Sequence, residues 1–118
     1  YFYSRWEANY ARYLNWLIGS TVDSGIISWK YEAQTFEFTK IKKGTRFYTP
    51  DFRVELASGA VEYHEVKGWR HPKGETALKR MAKYYPHIKI IILDEEWFKA
   101  VSRQGLPSLI EGWETSRW

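Results

Sequence analysis

At 118 residues, 44% of them hydrophobic and 27% charged, the chain reads as a single domain over 1–118 with one core. It has no Cys, which excludes disulfides and thiolate metal sites and suits a reducing compartment. No run approaches the roughly 20 apolar residues of a membrane span, no segment has the form of a signal peptide, and the net charge is +4.

In chain order, the first helix is predicted over 4–19. Ser4 and Glu7 have the Ser-x-x-Glu spacing of a capping box. Trp6, Tyr10, Tyr13, Leu14, Leu17 and Ile18 form an apolar stripe at helical spacing, and Gly19 can end the helix. Glu7 falls inside that stripe, where a charge needs a partner. Either it reaches back to cap its own helix, or it reaches inward to a site built by the rest of the chain. Residues 26–32 read as a strand with Ile27, Trp29 and Tyr31 on one face. Residues 34–39 read as a short strand or an irregular segment.

Residues 40–46 form a basic turn in which Lys42, Lys43 and Arg46 suit either a solvated hairpin tip or contacts to phosphates. Residues 47–56 and 60–67 form a central hairpin, with Gly59 as its turn residue. Phe52, Val54 and Leu56 alternate with Asp51, Arg53 and Glu55, so one face is core and the other polar. Glu62 and His64 share the face of Val66, opposite Glu65. That makes His64 a poor ligand candidate, either on the surface or behind the site, and Glu55 lies too far along its strand to be a strong one.

Gly68 to Gly74 reads as a loop leaving the second hairpin strand. Arg70 and Lys73 in it suit phosphates. Trp69 could stack on an exposed base or anchor packing, and His71 is an auxiliary acid or an ordinary loop residue. A second helix is predicted over 75–85, with Ala77, Leu78, Met81, Ala82 and Tyr85 inward, and Pro86 stops it. Residues 88–93 are nearly all apolar and β-branched, as in an interior strand covered on both faces. Asp94 caps a last helix to Gln104, closed by Gly105. The tail from Ser108 carries Leu109, Ile110, Trp113 and Trp118, and packs on the body or on a partner chain. The chain opens on Tyr1 rather than Met, as expected if part of a natural N-terminus lies outside it.

The hairpin concentrates the chemistry. It brings Pro50-Asp51 at the start of one strand beside Glu65-Val66-Lys67 at the end of the next. Two carboxylates and an amine at one point are what a hard divalent cation and a water to be activated require. The surrounding charge fits a polyanionic substrate. From Lys40 to Lys89 there are 12 Lys/Arg against 5 Asp/Glu, a net of +7, and the rest of the chain carries −3.

The Pro50-Asp51 and Glu65-Val66-Lys67 pattern, on a hairpin between helices, resembles the PD-(D/E)XK nuclease superfamily. The resemblance covers about residues 4–100. It implies an α/β domain with a restriction-endonuclease-like core, a mixed central β-sheet flanked by helices in the order α-β-β-β-α-β-α. It implies Mg²⁺, with Mn²⁺ as substitute, held by Asp51, Glu65 and the Val66 carbonyl, with Lys67 positioning the attacking water. Glu7 would correspond to the acidic residue of the first helix in resolvase-type members.

The chain looks most like small phage and archaeal Holliday-junction resolvases. The implied activity is that of a structure-selective DNA endonuclease on branched DNA, acting as a homodimer in the cytoplasm of a prokaryotic or phage-infected cell. Other readings are a restriction-like, nicking, TnsA-like or repair nuclease on duplex or flap DNA, and a non-catalytic nucleic-acid-binding domain. The many aromatics, with seven Trp and nine Tyr, fit either a dimer interface or a thickly packed monomer core.

Overall fold

The computed structural model describes residues 4–21, 23–67 and 72–115, and of Pro72 and Lys73 only the backbone. Trp69, Arg70, His71 and Trp118 therefore lie outside the described residues. Helix α1 spans Arg5–Gly19. Ser4 caps it, its Oγ accepting from the Glu7 N–H at 3.1 Å. Its apolar stripe buries Trp6, Tyr10, Ala11, Leu14 and Leu17.

Strands β1 (Ile26–Tyr31), β4 (Phe52–Leu56) and β5 (Val61–Val66) follow as an antiparallel meander. Between β1 and β4 the chain makes a separate two-stranded ribbon of β2 (Phe36–Glu37) and β3 (Phe47–Tyr48). The hairpin strand expected from Phe47 is thus broken at Thr49–Asp51. Pro50, which cannot donate a ladder hydrogen bond, sits at the break and is fully buried.

After β5, helix α2 (Pro72–Tyr84) crosses to β6 (Ile90–Leu93), which pairs parallel with β5. The helix starts before the expected Glu75, because Pro72 is well suited to a first helical turn. Ala77 and Met81 are buried on it, but Ala82 is exposed rather than inward. Helix α3 (Glu95–Arg103) is capped by Asp94, whose Oδ1 accepts from the Trp97 N–H at 3.0 Å. A 3₁₀ turn follows at Leu106–Ser108.

The main sheet has the order β1-β4-β5-β6, so β6 is an edge strand and not an interior one. Its apolar run reports coverage of its faces and carries no information about lateral neighbours. Among the described residues no strand follows it to take the outer position, and Ile92 is 37% exposed.

In β1 a register irregularity between Ile26 and Ser28 turns Ile26 into the core. Ile27, expected on one face with Trp29 and Tyr31, is instead 54% exposed, while those two pack against the core.

Two clusters cover the two faces. Trp6, Tyr10, Leu14, Phe52, Val54, Leu93 and Phe98 pack α1 and α3 on one. Phe36, Phe38, Tyr48, Tyr63, Ala77 and Met81 pack α2 and the ribbon on the other. The tail closes on α1, where the Asn9 amide exchanges two hydrogen bonds of 2.9 Å with the Glu114 backbone. Ile110 is buried and Trp113 packs on the first cluster, while Leu109 is 64% exposed. Most described aromatics are thus taken up in these cores, and Phe47 is the one large exposed aromatic among the described residues. No helix among the described residues is long and apolar enough to cross a membrane.

Candidate active site

Register fixes the centre of the site. Phe52 pairs with His64 across β4 and β5, which sets Asp51 beside Glu65. The two carboxylates interlock through backbone. Asp51 Oδ2 accepts from the Val66 N–H at 2.8 Å, and Glu65 Oε1 accepts from the Asp51 N–H at 3.2 Å. Glu65 Oε1 also accepts from the Tyr48 hydroxyl at 3.0 Å, so the ribbon reaches the site through β3. What the structure shows of Val66 at the site is its N–H donating to Asp51.

The surroundings disfavour ionisation of both carboxyls at once. Burial, then the Glu65 charge, and then those of Glu7 and Glu32 push the Asp51 carboxyl up to about 8, against the lowering effect of the Val66 N–H. Burial chiefly, with Glu7 and Glu32, pushes Glu65 up to about 7, despite the Tyr48 and Asp51 donors. The two carboxyls titrate as a unit and keep a proton near neutral pH. Burial and the Glu65 carboxylate likewise keep the Tyr48 phenol protonated.

Glu7 does two things at once. Its Oε2 accepts from the Ser4 hydroxyl at 2.9 Å and its Oε1 from the Tyr31 hydroxyl, while its charge acts on both Asp51 and Glu65. It therefore faces the site but is held in place by its own helix cap and β1. The Lys67 ammonium lies 3.6 Å from Glu75 Oε1, in the first turn of α2. The amine of the motif is thus paired with α2 rather than inserted between the two carboxylates.

Lys42, Lys43 and Arg46 lie exposed in the connection from β2 to β3, a short step along the chain from Tyr48. The Arg46 guanidinium stands 5.4 Å from the Phe47 ring centroid. Lys73 falls in the first turn of α2 rather than in a loop. Glu55 is taken up by Arg53 at 2.8 Å.

His64 is buried, and the surface alternative for it is overturned. It packs behind Glu65 with Glu62, also buried, against α1. The Glu62 carboxylate can only accept, so His64 Nε2–H donates to Glu62 Oε1 at 2.9 Å. That leaves Nδ1 to accept from the Tyr10 hydroxyl at 2.6 Å. Burial lowers the His64 pKa more than Glu62 raises it, consistent with this neutral tautomer. Lys89 reaches the other Glu62 oxygen at 3.4 Å.

Two site residues escape a reading of the sequence. Tyr48 reaches Glu65 only because the chain breaks at Pro50 and folds the ribbon back. Glu32, with φ +47°, donates its N–H to the Asp51 carbonyl at 2.8 Å. Its signal is the register: once Tyr31 is set opposite Phe52, Glu32 must oppose Asp51.

The donor set is all oxygen, which suits a hard divalent cation, and the repulsion within it is what such an ion relieves. Among the described residues no three His, Asp or Glu side chains form a ready metal-holding group. The fit therefore rests on the Asp51–Glu65 pair. Comparison with protein-family models, with curated proteins and with solved structures finds no match.

Proposed function

We propose that the chain is a metal-dependent DNA endonuclease of the PD-(D/E)XK type, acting on branched DNA as a Holliday-junction resolvase. The observation that carries this reading is the Asp51–Glu65 pair, half-buried, interlocked and raised to about 8 and about 7. A structural pair of carboxylates gains nothing from this repulsion, whereas a cation site needs it. The order of helix, three antiparallel strands, helix and parallel strand supports a restriction-endonuclease-like core.

In this mechanism Asp51 and Glu65, with the Val66 carbonyl and Glu7, would hold Mg²⁺, for which Mn²⁺ would substitute. When bound, the ion supplies Lewis acidity to the phosphate and lowers the pKa of the attacking water. Asp51 and Glu65 lose their shared proton as they take up this role. Tyr48 fixes the orientation of Glu65. Lys67, released from Glu75, positions the water and offsets charge on the reacting phosphate. Lys42, Lys43 and Arg46, with Arg70 and Lys73, bind the DNA backbone, and Trp69 stacks on a base. Two such sites in a homodimer would cut the two strands of a junction symmetrically.

The Lys67–Glu75 pairing favours a second reading, in which Lys67 is structural and the domain binds nucleic acid without cutting it. Cleavage of a four-way junction, a linear duplex, a flap and single-stranded DNA of shared sequence separates the readings. Paired symmetric nicks in the junction alone are expected. Equal cutting of duplex or flap would keep the nuclease and discard the resolvase. Binding without cutting, in both Mg²⁺ and Mn²⁺, would establish the second reading.

A further inference from the structure

We infer that β6 is a self-pairing edge, and that two copies of this chain join there antiparallel to make one continuous eight-stranded sheet. The backbone sets which groups are free. Lys89 and Leu93 carbonyls accept from the Tyr63 and Lys67 N–H groups at 2.9 Å, so the odd positions of β6 bond β5. In a regular ladder the N–H and C=O groups of Ile90 and Ile92 then point to the open edge. An exposed, apolar, β-branched edge is a template for another strand. Antiparallel pairing centred on Ile91 sets Ile90 opposite Ile92 of the second copy and uses all these groups.

Charge selects a second copy in this orientation. His87 and Lys89 lie at the start of the strand, and Asp94, Glu95 and Glu96 follow its end. Antiparallel self-pairing lays each basic end along the acidic end of the other copy, whereas parallel pairing would oppose like charges. The Lys89 side chain is 69% exposed and Glu95 64%, so each can face the other copy while keeping its own partner, Glu62 at 3.4 Å and Lys99 at 3.2 Å.

Shape agrees. Beside β6 an apolar groove of about 330 Å³ runs between the strand and α2, lined by Leu78, Met81, Ala82, Tyr85, Ile88 and Ile92 among others. A two-fold axis perpendicular to the sheet places both grooves on the same side of the joint sheet, each covered by the other copy. This accounts for the exposure of Ile92 and Ala82, which the described residues of a single chain leave uncovered.

Pairing depends on neither metal nor cleavage, so its failure and that of the nuclease reading are distinguishable. The experiment is sedimentation equilibrium of the parent, Ile92→Lys, Lys89→Glu and, as a remote control, Leu109→Lys. It is joined to oxidation of Ile91→Cys, the only thiol in its chain. Non-hydrogen-bonded antiparallel partners stand about 4.5 Å apart at Cα, within disulfide range. The parent and Leu109→Lys are expected to dimerise at micromolar concentration. Ile92→Lys and Lys89→Glu, folded by circular dichroism, should each weaken the dimer at least about tenfold. Ile91→Cys should cross-link into a covalent dimer. A monomeric parent would overturn the inference. So would a dimer indifferent to both charge variants and without the cross-link.

Discussion

Asp51 is easier to keep protonated than charged, because burial and the carboxylates of Glu65, Glu7 and Glu32 all oppose its ionised form. An acid raised in this way stabilises the fold only while it holds its proton. Its contribution is complete below the ordinary carboxyl value and is lost as pH climbs through about 8. The metal-free protein should therefore melt at progressively lower temperature from about pH 5 to about pH 9. Asp51→Asn removes the titration. At about pH 8 it should be more stable than the parent by about 1–3 kcal/mol while losing cleavage. Calorimetry in a chelator checks this, and a variant less stable than the parent at that pH would count against the strained pair. Lys67 makes a separate prediction through rates. Lys67→Ala should slow cleavage by about 10²-fold or more, while Glu75→Gln should change it by less than about threefold. Single-turnover rates decide, and a Lys67→Ala enzyme at full speed would make the Glu75 pair its whole purpose. The juxtaposition of Asp51 and Glu65 could be read from the sequence because their spacing on a hairpin is local, but the pairing of Lys67 with Glu75 could not. Tyr48 and Glu32 could not, since each depends on which strand lies beside which.

Among the elements, helices were the most legible, because their signals are local. Ser4 and Asp94 cap α1 and α3 as their spacing indicates. Strands were less so. Alternation predicts which side chains share a face but not an inserted residue, and the irregularity in β1 parts Ile27 from Trp29 and Tyr31 and packs Ile26 against the core in its place. The exchange has a consequence for stability. Ile26→Ala should cost about 1–2 kcal/mol, and Ile27→Ala should stay within about 0.5 kcal/mol. Urea denaturation of the two variants measures the difference, and equal costs would contradict the bulged register. Glu62 and His64 show the opposite failure. Polar residues on a strand suggest solvent, yet these two are buried because Tyr10 from α1 and Lys89 beside β6 complete their hydrogen bonds.

At the scale of the whole molecule, two aromatic clusters clamp the sheet from both sides and leave the ends of β4 and β5 to carry the carboxylates. The site lies within the part of the chain that carries a net charge of +7, while the remainder is acidic. Under the proposed function that polarity would draw a polyanion to a pair of carboxylates that repel each other, a combination that makes sense if a divalent cation stands between them. The sequence could place this asymmetry and, as one of two alternatives, the short strand over 34–39 with its basic tip, but not the break at Pro50 that parts the β2–β3 ribbon from β4 and joins that tip to Glu65. The most direct test is cleavage of a four-way junction by the parent and by Glu65→Gln, in Mg²⁺ and in a chelator. Cleavage is predicted only for the parent and only with Mg²⁺. Glu65→Gln, folded and still binding the junction, should be slower by at least about 10³-fold. Comparable cleavage by Glu65→Gln, or cleavage that survives the chelator, would contradict the assignment of the Asp51–Glu65 pair.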